Sequence, residues 1–159
     1  MAVEFIDNSV KCKNMINGSC VAWLYEACGE LEAQVKRNSK RVTGGTAGSF
    51  GYRVDEAALN GYVGSNMENA IWEEFGTGEY ALDGNGRKGG WWIKVGGGRN
   101  QIPLAIAKRY GWVKVRKDKN GNLTYVFTKG KKPKRLLFKA FTSLKGRLVR
   151  RAEELFGSM

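Results

Sequence analysis

Two apolar stripes with helical spacing bracket a glycine-rich middle, and this bracketing limits the possible folds more than any other feature. Ile16, Cys20, Leu24, Ala27, Leu31 and Val35 advance by four, four, three, four and four residues. Such steps return to one face of a helix, so they predict a long N-terminal helix of about five turns. Trp23 and Cys28 widen the stripe, and Asn8 or Ser9 is placed to cap its start. The basic, glycine-ending stretch from Asn38 stops it. Toward the other end, Leu137, Phe141, Leu144, Leu148, Ala152 and Leu155 repeat the pattern just after Pro133. Lys134, Lys145, Arg147, Arg150 and Arg151 take the polar side of this second amphipathic helix.

Between the stripes the period changes. Residues 49–54 and 57–63 read as two short strands broken at Asp55-Glu56. Met67, Ile71 and Phe75 then space a short helix, which Gly76-Thr77-Gly78 ends. Residues 76–100 read as loop, with the turn pairs Asp83-Gly84 and Asn85-Gly86, and with Trp91-Trp92-Ile93 as an apolar island that must bury or bind. A short helix is expected over 103–110, with Pro103 near its first turn. Residues 112–117 and 123–128 flank Asn120-Gly121 and give the best hairpin signal in the chain. The expected architecture is α+β: a long N-terminal helix, a small antiparallel β-sheet with long loop insertions and a C-terminal amphipathic helix. At 159 residues it is expected to be a single domain, with 76–122 as a loop-rich insertion region.

Composition narrows the chemistry. The chain has no histidine, so Ser-His and Cys-His arrangements are absent. Cys12, Cys20 and Cys28 recur every eight residues, each step turning about 80° around a helix. They therefore drift around the axis rather than converge, and reduced thiols are expected instead of a metal site or a disulfide. Gly84 to Gly89 spells GxGxxG, but loop flanks it on both sides where a dinucleotide site needs a strand and a helix. Glu73 and Glu74 are adjacent on a predicted helix and point in different directions, which suits capping, loop anchoring or an intersubunit salt bridge better than paired-acid catalysis. No enzyme, cofactor or metal is expected from this set. No apolar run is long enough to span a bilayer, and the opening MAVEFIDNSVK lacks a signal-peptide pattern, so a soluble cytosolic product with no membrane partner is expected.

Charge is unevenly distributed. The formal net charge is +12, yet residues 1–107 hold 11 Lys and Arg against 12 Asp and Glu. Residues 108–159 hold 16 Lys and Arg against Asp118, Glu153 and Glu154. Within that last third, Lys129, Lys131, Lys132, Lys134 and Arg135 crowd around Gly130 and Pro133. A run of this kind suits phosphate contact without sequence readout, or an acidic protein neighbour.

Three segments together resemble the head–tail joining, or tail completion, proteins of long-tailed bacteriophages. Asn69-Ala70-Ile71-Trp72-Glu73-Glu74-Phe75-Gly76-Thr77-Gly78 is similar to that family's YA-x-x-VEFGTG element. Asp83-Gly84-Asn85-Gly86-Arg87-Lys88 with Trp91-Trp92 is similar to its DGNGRK-x-x-W loop. Thr128-Lys129-Gly130-Lys131-Lys132-Pro133, continuing through Leu136-Leu137 to Ala140-Phe141, is similar to its TKG-x-x-P-x-x-FL-x-x-AF entry into the last helix. Asn69 replaces the usual Tyr, Leu136 the usual Phe, and residues 93–122 form a longer stretch than in compact members. The resemblance runs from about residue 9 to 156.

The resemblance implies a virion neck protein, assembled in the host bacterial cytoplasm. Such a protein forms a homo-oligomeric ring, commonly a hexamer, between the head connector and the tail tube, and the genome passes through it. Its neighbours would be portal, adaptor or stopper proteins on one side and tail terminator or tail tube proteins on the other. Glu74, Phe75, Gly76, Thr77, Gly78, Trp91 and Trp92 are then expected at subunit or neighbour-ring interfaces. Lys129, Lys131, Lys132, Lys134 and Arg135 are expected to meet DNA in the channel or an acidic partner. The alternative reading is a sequence-nonspecific nucleic-acid-binding module acting without a ring.

Overall fold

The computed structural model describes residues 7–39, 44–98, 101–109 and 114–157. The chain is mixed α+β, with a long helix near each end and two small antiparallel sheets between them. In order, the elements are α1 (Ser9–Asn38), α2 (Gly45–Gly48), β1 (Phe50–Asp55), β2 (Asn60–Ser65), α3 (Glu68–Phe75), a 3-10 turn (Gly78–Tyr80), β3 (Trp91–Lys94), α4 (Leu104–Arg109), β4 (Val115–Lys117), β5 (Leu123–Thr128) and α5 (Leu136–Phe156). They group into two compact units. The first comprises Met1–Ala70 with Leu136–Met159, and the second is Ile71–Arg135. Among the described residues no helix is long and apolar enough to cross a membrane.

In the first unit α1 and α5 pack antiparallel, and the β1–β2 hairpin lies against α1. Val35, Phe50, Ala70, Leu136 and Ala140 form one buried cluster. Ala27, Leu144 and Leu148 form another, with Trp23 and Leu31 packed on it. Arg147 and Arg151 of α5 reach Glu30 and Glu26 of α1 at 2.7 and 3.2 Å. These exposed pairs set register more than they stabilise, since each is worth at most about 1 kcal/mol. Gly61 lets β2 approach α1 closely, because a Cβ there would collide with the Cys28 sulfur. Cys28 is buried and Cys12 exposed, and burial pushes the Cys28 thiol pKa up.

Several expectations shift. Ile16 opens the predicted α1 stripe but is exposed, and burial begins only near Ala27. The 30 residues of α1 rise about 45 Å, whereas the 21 of α5 cover about 32 Å, so the first turns of α1 overhang. On α5 the buried residues are Leu136, Ala140, Leu144 and Leu148, at uniform steps of four, and Phe141 faces out. The cap of α1 comes from Asp7, whose carboxylate accepts the Ser9 N–H at 2.9 Å, while Asn8 makes no side-chain cap. The first hairpin turns over residues 56–59, later than Asp55-Glu56, because the Asp55 carboxylate accepts the Ala58 N–H at 3.0 Å.

The second unit holds a three-stranded sheet in the order β3-β5-β4, with β5 central. The strand β3 falls inside the stretch read as loop: four residues flanked by glycines are too short to show alternation. The Asn-Gly hairpin forms as β4–β5. Asp118 accepts the N–H groups of Asn120 and Asn122, both at 2.8 Å, and Gly121 takes a positive φ of 80°. Residues 110 and 112–113 of the predicted short helix and hairpin lie outside the described residues.

Candidate functional site

The site is a cradle built where α3 ends. Gly76 and Gly78 both have positive φ, 75° and 61°, which lets the chain fold back immediately after Phe75. The returning segment is the TKG stretch, more than fifty residues later. Thr77 donates its N–H to the Lys131 carbonyl at 2.9 Å, and its hydroxyl accepts the Lys131 N–H at 2.9 Å. One turn on, the Glu79 N–H reaches the Lys129 carbonyl at 2.8 Å. The approach leaves no room for side chains at the glycines. A Cβ on Gly76 would lie 2.6 Å from the Tyr80 carbonyl and 2.9 Å from the Pro133 ring, and one on Gly130 would collide with the Thr77 carbonyl.

The DGNGRK loop closes the same cradle. A Cβ on Gly86 would strike the Gly78 carbonyl, and the Gly89 N–H reaches Glu79 Oε1 at 3.2 Å. The Arg87 guanidinium lies 5.5 Å from the Trp91 ring centroid, and a Cβ on Gly78 would meet that indole at 2.8 Å. The second-unit parts of the three segments quoted above for the family resemblance, residues 71–78, 83–92 and 128–133, therefore meet in one unit.

Glu73 anchors the cradle. Its Oε1 accepts both Lys131 Nζ at 2.8 Å and Lys134 Nζ at 2.9 Å, and its backbone carbonyl accepts the Lys134 N–H at 2.6 Å. The side chain is only 8% exposed, and Oε2 is buried without a hydrogen bond. Burial alone would push the carboxyl pKa up. Hydrogen bonds and charge from Lys131 and Lys134 outweigh it and hold the group below its ordinary value.

The basic run is thus not a free string of charge. Lys131 and Lys134 face Glu73, Lys129 faces Glu79 at 3.1 Å, and Lys132 lies 5.5 Å from the Tyr80 ring centroid. Arg135 takes a positive φ of 54°, donates its N–H to the Glu73 carbonyl at 3.2 Å, and has a buried Nε.

Of the residues expected at interfaces, Glu74 and Gly78 are buried, and Gly76, Thr77 and Trp91 are half-buried within the cradle. Phe75 and Trp92 are exposed. Trp91 and Trp92 fall on opposite faces of β3, as neighbours in a strand must. The predicted stripe of α3 points outward: Met67, Ile71 and Phe75 are exposed, while the residues α3 buries are Ala70, Glu73 and Glu74. Two lysines offset the burial of Glu73, a compensation that apolar spacing does not register. Within the second unit Ile71, Trp72, Phe75, Tyr80 and Leu82 are all exposed, and the Leu82 N–H on the Phe75 carbonyl at 3.0 Å holds those two together. Sequence reading missed Ile71, Trp72 and Leu82 as surface residues. The signal available was apolar excess next to paired carboxylates on one short helix.

Among the described residues no three carboxylates or thiols gather as a metal site. In comparisons with family models, curated proteins and solved structures, none matches this chain.

Proposed function

We propose that this chain is a ring-forming structural protein of the phage neck, joining the head connector to the tail tube around the path of the genome. The observation that carries this reading is the convergence of the second-unit parts of the three resembling segments into one cradle, with α3 leaving Ile71, Trp72 and Phe75 in solvent. Hydrogen-bonded backbone beneath an exposed apolar patch is what a docking surface between subunits needs, because such backbone has little entropy to lose on association. Aromatic anchors such as Trp72 carry most of the energy of such contacts. A closed ring uses two different surfaces of each subunit, so this patch would meet a different patch on the next copy.

In this account the 129–135 run serves the architecture of the cradle first. Lys131 and Lys134 hold Glu73 of α3, Lys129 holds Glu79, and Lys129 and Lys132 remain exposed. The test is localisation. Heads and tails produced without this chain are expected to remain separate, and the tagged chain is expected at the head–tail junction of whole particles by immunogold labelling. Particles that join normally without it overturn the reading.

A further inference from the structure

The three-stranded sheet of the second unit has one face on which aromatic rings and cations alternate. Register places Trp92 opposite Phe127 across β3 and β5, and Phe127 donates its N–H at 2.9 Å to the carbonyl of Lys114, the residue just before β4. Two residues along, Lys94, Tyr125 and Arg116 form the next row. Strand alternation puts all six side chains on the same side. Val126, fully buried, belongs to the other side together with Ile93 and Val115.

The rings and cations of this face touch one another. Trp92 and Phe127 meet edge-on with centroids 5.4 Å apart. The Arg116 guanidinium lies 4.3 Å from the Trp92 centroid, and Lys114 Nζ lies 5.4 Å from that of Phe127. Trp92, Lys94, Lys114 and Arg116 are exposed, and Tyr125 and Phe127 are half-buried. None of the six is acidic. The acid next along the strands, Asp118, is turned into its own hairpin by Asn120 and Asn122. Glu79, the acid beside the Lys129 end of β5, is held by that lysine. The wider unit has the same sign: residues 71–135 hold 15 Lys and Arg against five Asp and Glu.

We infer that this sheet face is a binding surface for single-stranded nucleic acid. Phosphates would meet Lys94, Lys114 and Arg116, whose affinity comes from counterion release. Roughly two or three unstacked bases would lie on Trp92, Tyr125, Phe127 and the Arg116 guanidinium plane, since any base has a π face to offer. An acidic protein would match the cations and leave the rings unused, so the face favours a strand with bases. This surface is separate from the 129–135 run, and the inference does not rest on ring assembly.

The test uses the full chain and a fluorescently labelled oligothymidylate, with affinity read by anisotropy across a salt series. The duplex of the same length and polyglutamate serve as competitors. Binding is expected to weaken steeply with salt and to favour the single strand over the duplex. Lys94→Glu with Arg116→Glu is expected to lower affinity at least about tenfold. Trp92→Ala is expected to lower single-strand affinity by about tenfold while changing duplex affinity far less. Trp92→Phe should retain most of it, which separates stacking from misfolding. Lys145→Glu with Arg150→Glu, reversing exposed cations of α5, should leave affinity unchanged. The inference is overturned by absence of binding at low salt, by equal affinity for duplex and single strand, or by polyglutamate competing as well as unlabelled oligothymidylate. It is also overturned if the α5 pair removes binding and the sheet pair does not. Because no assembly is involved, any of these results leaves the ring reading standing.

Discussion

Thr77 and Lys131 clasp each other twice, the backbone of each donating once, with the Thr77 hydroxyl completing the second bond. The two residues are 54 positions apart. This pairing joins two glycine-bearing loops into a single hydrogen-bonded unit. Thr77→Val keeps the shape of the side chain and removes the hydroxyl that accepts the Lys131 N–H. A loss of about 1–2 kcal/mol is expected by urea unfolding, with faster amide exchange at Lys131, and Thr77→Ser should restore most of both.

Acid should loosen the cradle. Glu73 has its folded pKa lowered, so the stability it contributes is fully present above the unfolded value near 4.5. That contribution is lost as pH falls through the lowered folded value. Glu73→Gln removes it at every pH. Wild type should therefore exceed the variant in stability at neutral pH, with the gap closing progressively below pH 4.5. A gap that stays constant through the acid limb would show that the two lysines do not hold Glu73 ionised.

The cradle glycines should not be equivalent to other glycines of positive φ. Gly130→Ala forces both a disfavoured backbone and a collision with the Thr77 carbonyl, and is expected to cost about 2–3 kcal/mol. Gly84→Ala has the same backbone problem but open space around it, and should cost about 1 kcal/mol. Thermal melts of the two variants side by side give the comparison.

The helices and the second hairpin were legible in sequence because their signals are local. Spacing of three and four marks α1 and α5, and Asp118 with Asn120-Gly121 writes its own turn. The cradle was not legible as a structure, although its residues stood out. Apart from the Thr77 hydroxyl, its bonds join backbone groups of Thr77, Glu79, Lys129 and Lys131, and no side-chain pattern encodes these. The basic run read as free charge because the carboxylate that holds Lys131 and Lys134 lies 58 and 61 positions away. Glu73 itself was set among structural roles, and loop anchoring is the one the geometry supports. For α3, apolar spacing marked the helix without saying which face is buried, since a carboxylate paired with two lysines can be buried while Ile71 and Phe75 are not.

The proposed ring closes through the outward face of α3. The most direct measurement is sedimentation velocity of the purified chain over a wide concentration range, with negative-stain imaging of the largest species. Wild type is expected to form closed rings as concentration rises. Trp72→Ser with Phe75→Asp, both at exposed positions, is expected to remain monomeric with an unchanged far-UV spectrum. A wild-type chain that stays monomeric at every concentration, or rings that persist in the double variant, would contradict it.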